Sequence, residues 1–211
     1  MLGCQRHPGR DLEIETNLAR PRDERIDLAT LKAVRSLLPE VGYQGLTLEA
    51  VAAHAGTTKP AIRRRWPSQK HLVVDAITEH VGSTPTPDTG CTHCDLVAGI
   101  DTLRRTMTGP LLTLTLPPLV ADLRDDDVLR NRFFDRFFNP RRQTTARAIE
   151  RGIERGDVRE DVDVELLLDM LAATMTYRLL FGHQPIAPGL SEEIVDVVMR
   201  GVATPQWAKQ H

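Results

Sequence analysis

The chain has 211 residues, with 27 Lys plus Arg against 29 Asp plus Glu, a net charge of −2. At 41% hydrophobic and 27% charged residues it has the composition of a folded protein, either one large domain or a small module joined to a larger one. The balance excludes a uniformly basic coat for polyanions, an acidic disordered tail, and collagen-like or low-complexity structure.

Residues 1–21 are polar and show no sustained periodicity, which predicts a mobile arm. No apolar run follows their first charges, so no secretory signal is expected. The uncharged stretch 106–121 is too short to span a bilayer and contains Pro110, Pro117 and Pro118. Cys4, Cys91 and Cys94 do not make a disulfide framework, and the cytoplasm is the expected compartment. From Arg22 a helical stripe runs through Ile26, Leu28, Ala29, Leu31, Ala33, Val34, Leu37 and Leu38, with Pro39 and Gly42 near its end. Short helices are predicted over 48–54, 58–65 and 68–81, opened by Thr47, Thr58 and Ser68 as N-caps, with Pro60 tolerated in a first turn. The Ser, Thr, Pro and Gly run at 83–90 is a linker by composition. Helices are then predicted over 94–107, 110–123, 126–155, 163–182 and 190–203. Strand signals are nearly absent. The fold is predicted to be all-α.

The function-bearing stretch is 48–66. Val51, Ala52 and Ala55 allow close helix approach, Gly56 supplies the turn, and Ile62 follows six residues later to pack between two helices. That is the spacing of a helix-turn-helix, whose second helix enters the DNA major groove. No acidic residue lies between Glu49 and Asp75, whereas Lys59, Arg63, Arg64, Arg65 and Lys70 make an island of +5. Arginine forms paired hydrogen bonds with guanine edges and with phosphate. Successive helical residues sit ~100° apart, so the three arginines do not all face bases. Arg63 and Arg64 are expected toward the groove or its walls. Thr47, Thr58 and Ser68 read equally as plain caps and as caps that also touch phosphate. Trp66 reads as packing.

From Ile26 to about Val81 the chain resembles the DNA-binding domain of TetR-type transcriptional regulators. The resemblance rests on Gly42-Tyr43, Leu46-Thr47-Leu48, Val51-Ala52, Ala55-Gly56, Lys59, Ile62, Arg64 to Ser68, and Leu72-Val73. It implies that 58–65 is the recognition helix and that Thr47, Lys59 and the start of the next helix touch phosphates. Arg63 stands where such proteins often carry tyrosine, and Gln69-Lys70 replace the usual Lys and acidic residue. The remainder resembles a companion domain of the same family, through Phe138 to Arg142, Arg155 to Val158, Asp161 to Asp163, and Tyr177 to Leu180. By that resemblance the last two helices pair with those of a second subunit, and the preceding ones enclose an effector pocket. The domains so predicted are 22–82 for DNA binding, 83–93 as linker, 94–204 for effector binding and dimerisation, and 205–211 as a tail.

The candidate DNA contacts are therefore Thr47, Thr58, Lys59, Arg63, Arg64, Arg65, Ser68 and Lys70, on a palindromic double-stranded operator. Phe133, Phe134, Phe137 and Phe138 crowd one helix and read first as a core stripe. The functional alternative is an aromatic pocket wall; Phe134, Phe137, Phe138, Met107, Leu111, Met170, Met175, Tyr177 and Arg178 are the candidates. Arg178 is expected to pair with Asp169 or Asp135. Cys91 and Cys94 frame a C-x-x-C with His93 between them, but zinc needs four ligands and no second such pair exists, so two free thiols are expected. No metal site or cofactor is predicted. No G-x-S-x-G, P-loop, G-x-G-x-x-G or H-E-x-x-H occurs. A helical enzyme, or a scaffold with a basic docking helix, is the competing class. The expected mechanism is a population shift: an effector favours a spacing of the reading helices that no longer fits two half-sites.

Overall fold

The structure is a computed structural model that describes residues 24–202 together with 204, 205 and 209. The arm expected at 1–21 and most of the tail expected at 205–211 lie outside the described residues. The fold is all-α: α1 (Glu24–Gly45), α2 (Leu48–His54), α3 (Lys59–Arg63), α4 (Gln69–Val81), α5 (Thr92–Thr108), α6 (Pro110–Asp122) and α7 (Asp127–Phe133), then α8 (Asn139–Glu154), α9 (Val164–Phe181) and α10 (Leu190–Val202).

The first helix kinks at Gly42, whose φ of 69° is open to glycine at little cost. Beyond it Tyr43 and Leu46 turn into the core. Ala33, Val34 and Leu38 form the buried stripe of α1, with Thr30 donating to the Ile26 carbonyl. Leu28 lies outside that stripe and is exposed. Val51 and Ala52 of α2, and Leu72, Val73, Val74, Ala76 and Ile77 of α4, close on α1, while Ile62 of α3 is buried where α3 packs on α2. Apolar contacts continue without a break from there into α5–α10, and α1 packs along α6.

The segment predicted as one helix over 126–155 is interrupted. Between α7 and α8 the chain makes a π-turn, Phe134–Phe138, in which the Asn139 amide reaches back to the Phe134 carbonyl. Pro140 follows at once, and in a regular α-helix its ring would strike the carbonyl four residues back. The widened turn removes that clash. The predicted linker is pinned rather than loose. Thr86 is buried against Gly99, Thr89 bonds the buried Asp95 through its amide and hydroxyl (3.0 and 2.7 Å), and α5 begins at Thr92, two residues earlier than 94.

Candidate nucleic-acid interface and interior cavity

Between α2 and α3 the chain turns sharply. Gly56 has φ 62°, its amide donates to the Ala53 carbonyl (3.4 Å), and Thr57 donates to Ala52 (2.9 Å). This pair of bonds satisfies the last carbonyls of α2 and fixes the exit of the chain. Thr47 and Thr58 cap α2 and α3, accepting from Ala50 and Ala61 at 3.2 and 3.3 Å. Ile62 is fully buried at the crossing of the two helices.

The basic island separates into two groups. Arg63 and Arg64, at the end of α3, are exposed and have no ion pair among the described residues. The other three cations are taken by carboxylates. Lys59 pairs with Glu49, whose carboxyl is held below its ordinary range by that lysine. Arg65 pairs with Asp27 and also donates to the Ala61 carbonyl (3.0 Å), so its guanidinium turns back onto α1 and α3. Lys70 pairs with Asp122 of α6 at 2.7 Å. Burial opposes ionisation of Asp122, but hydrogen bonds from Lys70 and Tyr43 outweigh it and keep the carboxyl below the usual range. Ser68 opens α4 without a cap bond and contacts His71 Nδ1 instead (2.9 Å). Thus Lys59, Arg65, Ser68 and Lys70, all expected at DNA, each have a partner within the chain.

Trp66 is buried, as its place before Pro67 suggested, and its indole N–H donates to Asp75 Oδ2 at 2.8 Å. Arg132 of α7 grips the same carboxylate through Nε and Nη2 (2.8 and 2.5 Å), and Arg136 stands 3.5 Å away. This node ties the segment after α3 to α4, α7 and the π-turn. The sequence offered no sign of it, because its partners lie 9 and 57 residues from Asp75.

An interior cavity of about 140 Å³ lies between the end of α4, the pinned 84–86 strap, α5, the π-turn, α8 and α9. Of the predicted pocket residues, Met107, Phe137 and Phe138 line it. Phe134 lines a second, more open cleft with Phe138 and Arg142. Leu111 and Met175 are buried in the core. Met170, Tyr177 and Arg178 do not line the cavity: α9 turns Leu167, Leu168, Leu171 and Met175 inward, which places Met170 and Tyr177 on its exposed face. Arg178 donates to the Pro185 carbonyl (2.7 Å) rather than to an acid, and Asp169 is taken by Arg142.

Arg141 and Arg142 are the functional candidates missed in the sequence. Each stands one turn after a phenylalanine, Arg141 lying 4.0 Å over Phe137 and Arg142 5.8 Å over Phe138. That i, i+4 spacing was the available signal. Burial pushes the Arg141 pKa down to about 10, which leaves it charged at neutral pH. Cys91 caps α5, accepting from the Cys94 amide. His93 contacts Asp196 at 2.7 Å.

Residues 31–76 match the model of the tetR family of bacterial regulatory proteins, and 86–198 match the tetracyclin repressor-like C-terminal domain. The chain is 29% identical over 190 residues to YdeS, an uncharacterized HTH-type transcriptional regulator of Bacillus subtilis, covering 90% of this chain and 96% of that one. It is 29% identical over 184 residues to the DNA-binding transcriptional repressor TetR of Mycobacteroides abscessus, covering 84% and 94%. The crystal structure of the TetR family transcription regulator SCO0332 superposes with a TM-score of 0.69 at 28% identity, covering 85% of this chain and all of that one.

Proposed function

The chain belongs to the TetR family of bacterial regulatory proteins and is a DNA-binding transcriptional regulator, and from that premise we propose which of its residues read DNA. Arg63 and Arg64 reach base edges in the major groove. Thr47 and Thr58, both exposed, contact phosphates, and Lys59 exchanges the exposed Glu49 carboxylate for a phosphate, since such surface pairs hold weakly. Arg65, Ser68 and Lys70 position the reader through Asp27, His71 and Asp122.

In this reading residues 22–82 bind DNA, 83–93 connect, and 94–204 bind an effector and dimerise. Two copies meet through α9 and α10, in the cytoplasm, as a repressor that an effector in the interior cavity releases from a palindromic operator. The dimer is supported by a second apolar stripe on α9. Leu166, Met170, Tyr177 and Phe181 are all exposed, opposite the inward stripe, and Val197 of α10 is 69% exposed. A helix apolar on both faces is normally covered on both.

The observation that carries the reading is that, among the described residues, the basic island leaves the two arginines at the end of α3 without a carboxylate partner. Selection of sites from a random duplex pool provides the ligand for the test. Arg64→Ala is expected to lose about 1–3 kcal/mol on the selected site and little on random duplex, the cost of one bidentate base contact. Equal loss on both would make Arg64 a phosphate contact and overturn the assignment.

A further inference from the structure

The interior cavity holds a cation that no carboxylate pairs among the described residues. Arg141 and Arg142 both stand in its wall, and no carboxylate does. Arg142 is neutralised from outside the wall by Glu165 and Asp169. Arg141 has no carboxylate within ion-pairing reach among the described residues. It donates to two backbone carbonyls, through Nη1 to Phe137 and through Nη2 to Gly82. Its Nε is buried with no partner. Carbonyl dipoles compensate a half-buried guanidinium only in part, so an anion bound here would recover free energy.

The free and occupied donors share one edge. Nε and Nη2 form the side-on fork of a guanidinium, the geometry in which Arg132 holds Asp75 and Arg142 holds Glu165 in this same chain. A carboxylate docking on that edge of Arg141 would satisfy Nε and compete with the Gly82 carbonyl for Nη2. Gly82 ends α4, its amide closing on the Thr78 carbonyl (3.0 Å), and α4 carries Asp75 and Lys70, the anchors of the DNA-reading segment. The rest of the wall mixes apolar side chains, among them Ile100, Leu103, Leu168 and Leu171, with threonines and holds no further charge, and its volume is about that which admits a single benzene ring.

We propose that the cavity takes a compact monocarboxylate, one ring carrying one acid group, whose carboxylate pairs side-on with Arg141 and thereby releases the end of α4. The proposal rests on the reading of this cavity as the effector site. It is tested first on the protein without DNA, by calorimetric titration with benzoate, phenylacetate and cinnamate against their uncharged primary amides. At least one acid is expected to bind about tenfold or more tightly than its amide, the margin of a charge-assisted hydrogen-bonded pair. The preference is expected to vanish in Arg141→Met, with amide binding and circular dichroism unchanged, and to survive in part in Arg141→Lys. Amides binding as well as acids, no acid binding at millimolar concentration, or an acid preference surviving in Arg141→Met would overturn it. A second arm measures the selected duplex with and without the bound acid. A fall of about tenfold in duplex affinity is expected, and an unchanged affinity would overturn the release of α4. The calorimetric arm uses no DNA, so its failure is distinguishable from a failure of the regulator reading.

Discussion

Asp75→Ala is expected to lower the unfolding free energy by about 3–5 kcal/mol, the cost of removing one partner from a buried ionic cluster. The carboxylate is 7% exposed and serves three groups at once: the Trp66 indole, the Arg132 fork and the Arg136 guanidinium. Without it, the N–H of a tryptophan that is 1% exposed loses its acceptor, and two neighbouring arginines lose the charge that held them together. Domains of this kind are stable by only about 5–15 kcal/mol, so the loss is a large fraction of the whole. Asp75→Asn keeps an acceptor for Trp66 and gives up the charge, and it should fall between alanine and the native chain. Denaturant titration reads all three. A midpoint for Asp75→Ala within experimental scatter of the native value would show that the node stabilises nothing.

The second large effect concerns assembly. In the proposed dimer through α9 and α10, Tyr177 on the exposed stripe of α9 would lie near its own copy, so Tyr177→Glu would place two like charges in an apolar seam. The residue is 57% exposed in the single chain, and a substitution at such a site costs a monomer about 0.5 kcal/mol or less. Sedimentation should therefore give a folded monomer at micromolar concentration. Its affinity for the selected duplex should fall by about 10²–10⁴-fold, because the second half-site no longer binds as a linked event. A Tyr177→Glu chain that stays dimeric and binds as before would move the seam elsewhere.

The parts of this molecule legible in its sequence are those set by local chemistry. Thr47, Thr58 and Gly56 announce caps and a turn through their own side chains or lack of one, and the helix-turn-helix follows from their spacing with Ile62. The parts that stayed hidden depend on which way a helix faces. α9 is apolar around its circumference, so periodicity does not tell the inward Leu171 and Met175 from the outward Met170 and Tyr177, and it points Met170, Met175 and Tyr177 alike at a pocket that none of them lines. The charge island was legible as a sum. Its division was not, because Asp27, Glu49 and Asp122 reach Arg65, Lys59 and Lys70 only in the folded chain. Arg141 reads as one more surface arginine until Pro140 and the π-turn bring it against Phe137 and the end of α4.

The central claim is that this chain reads DNA sequence with the end of α3. Its most direct test is the ratio of affinities for a selected duplex and a random duplex of equal length, followed as salt is raised. Random binding, which is largely counterion release, should fall steeply. The selected site should remain favoured by about 10³-fold or more at physiological salt, with the ratio reduced in Arg64→Ala. Two duplexes that bind alike at moderate salt would contradict the account.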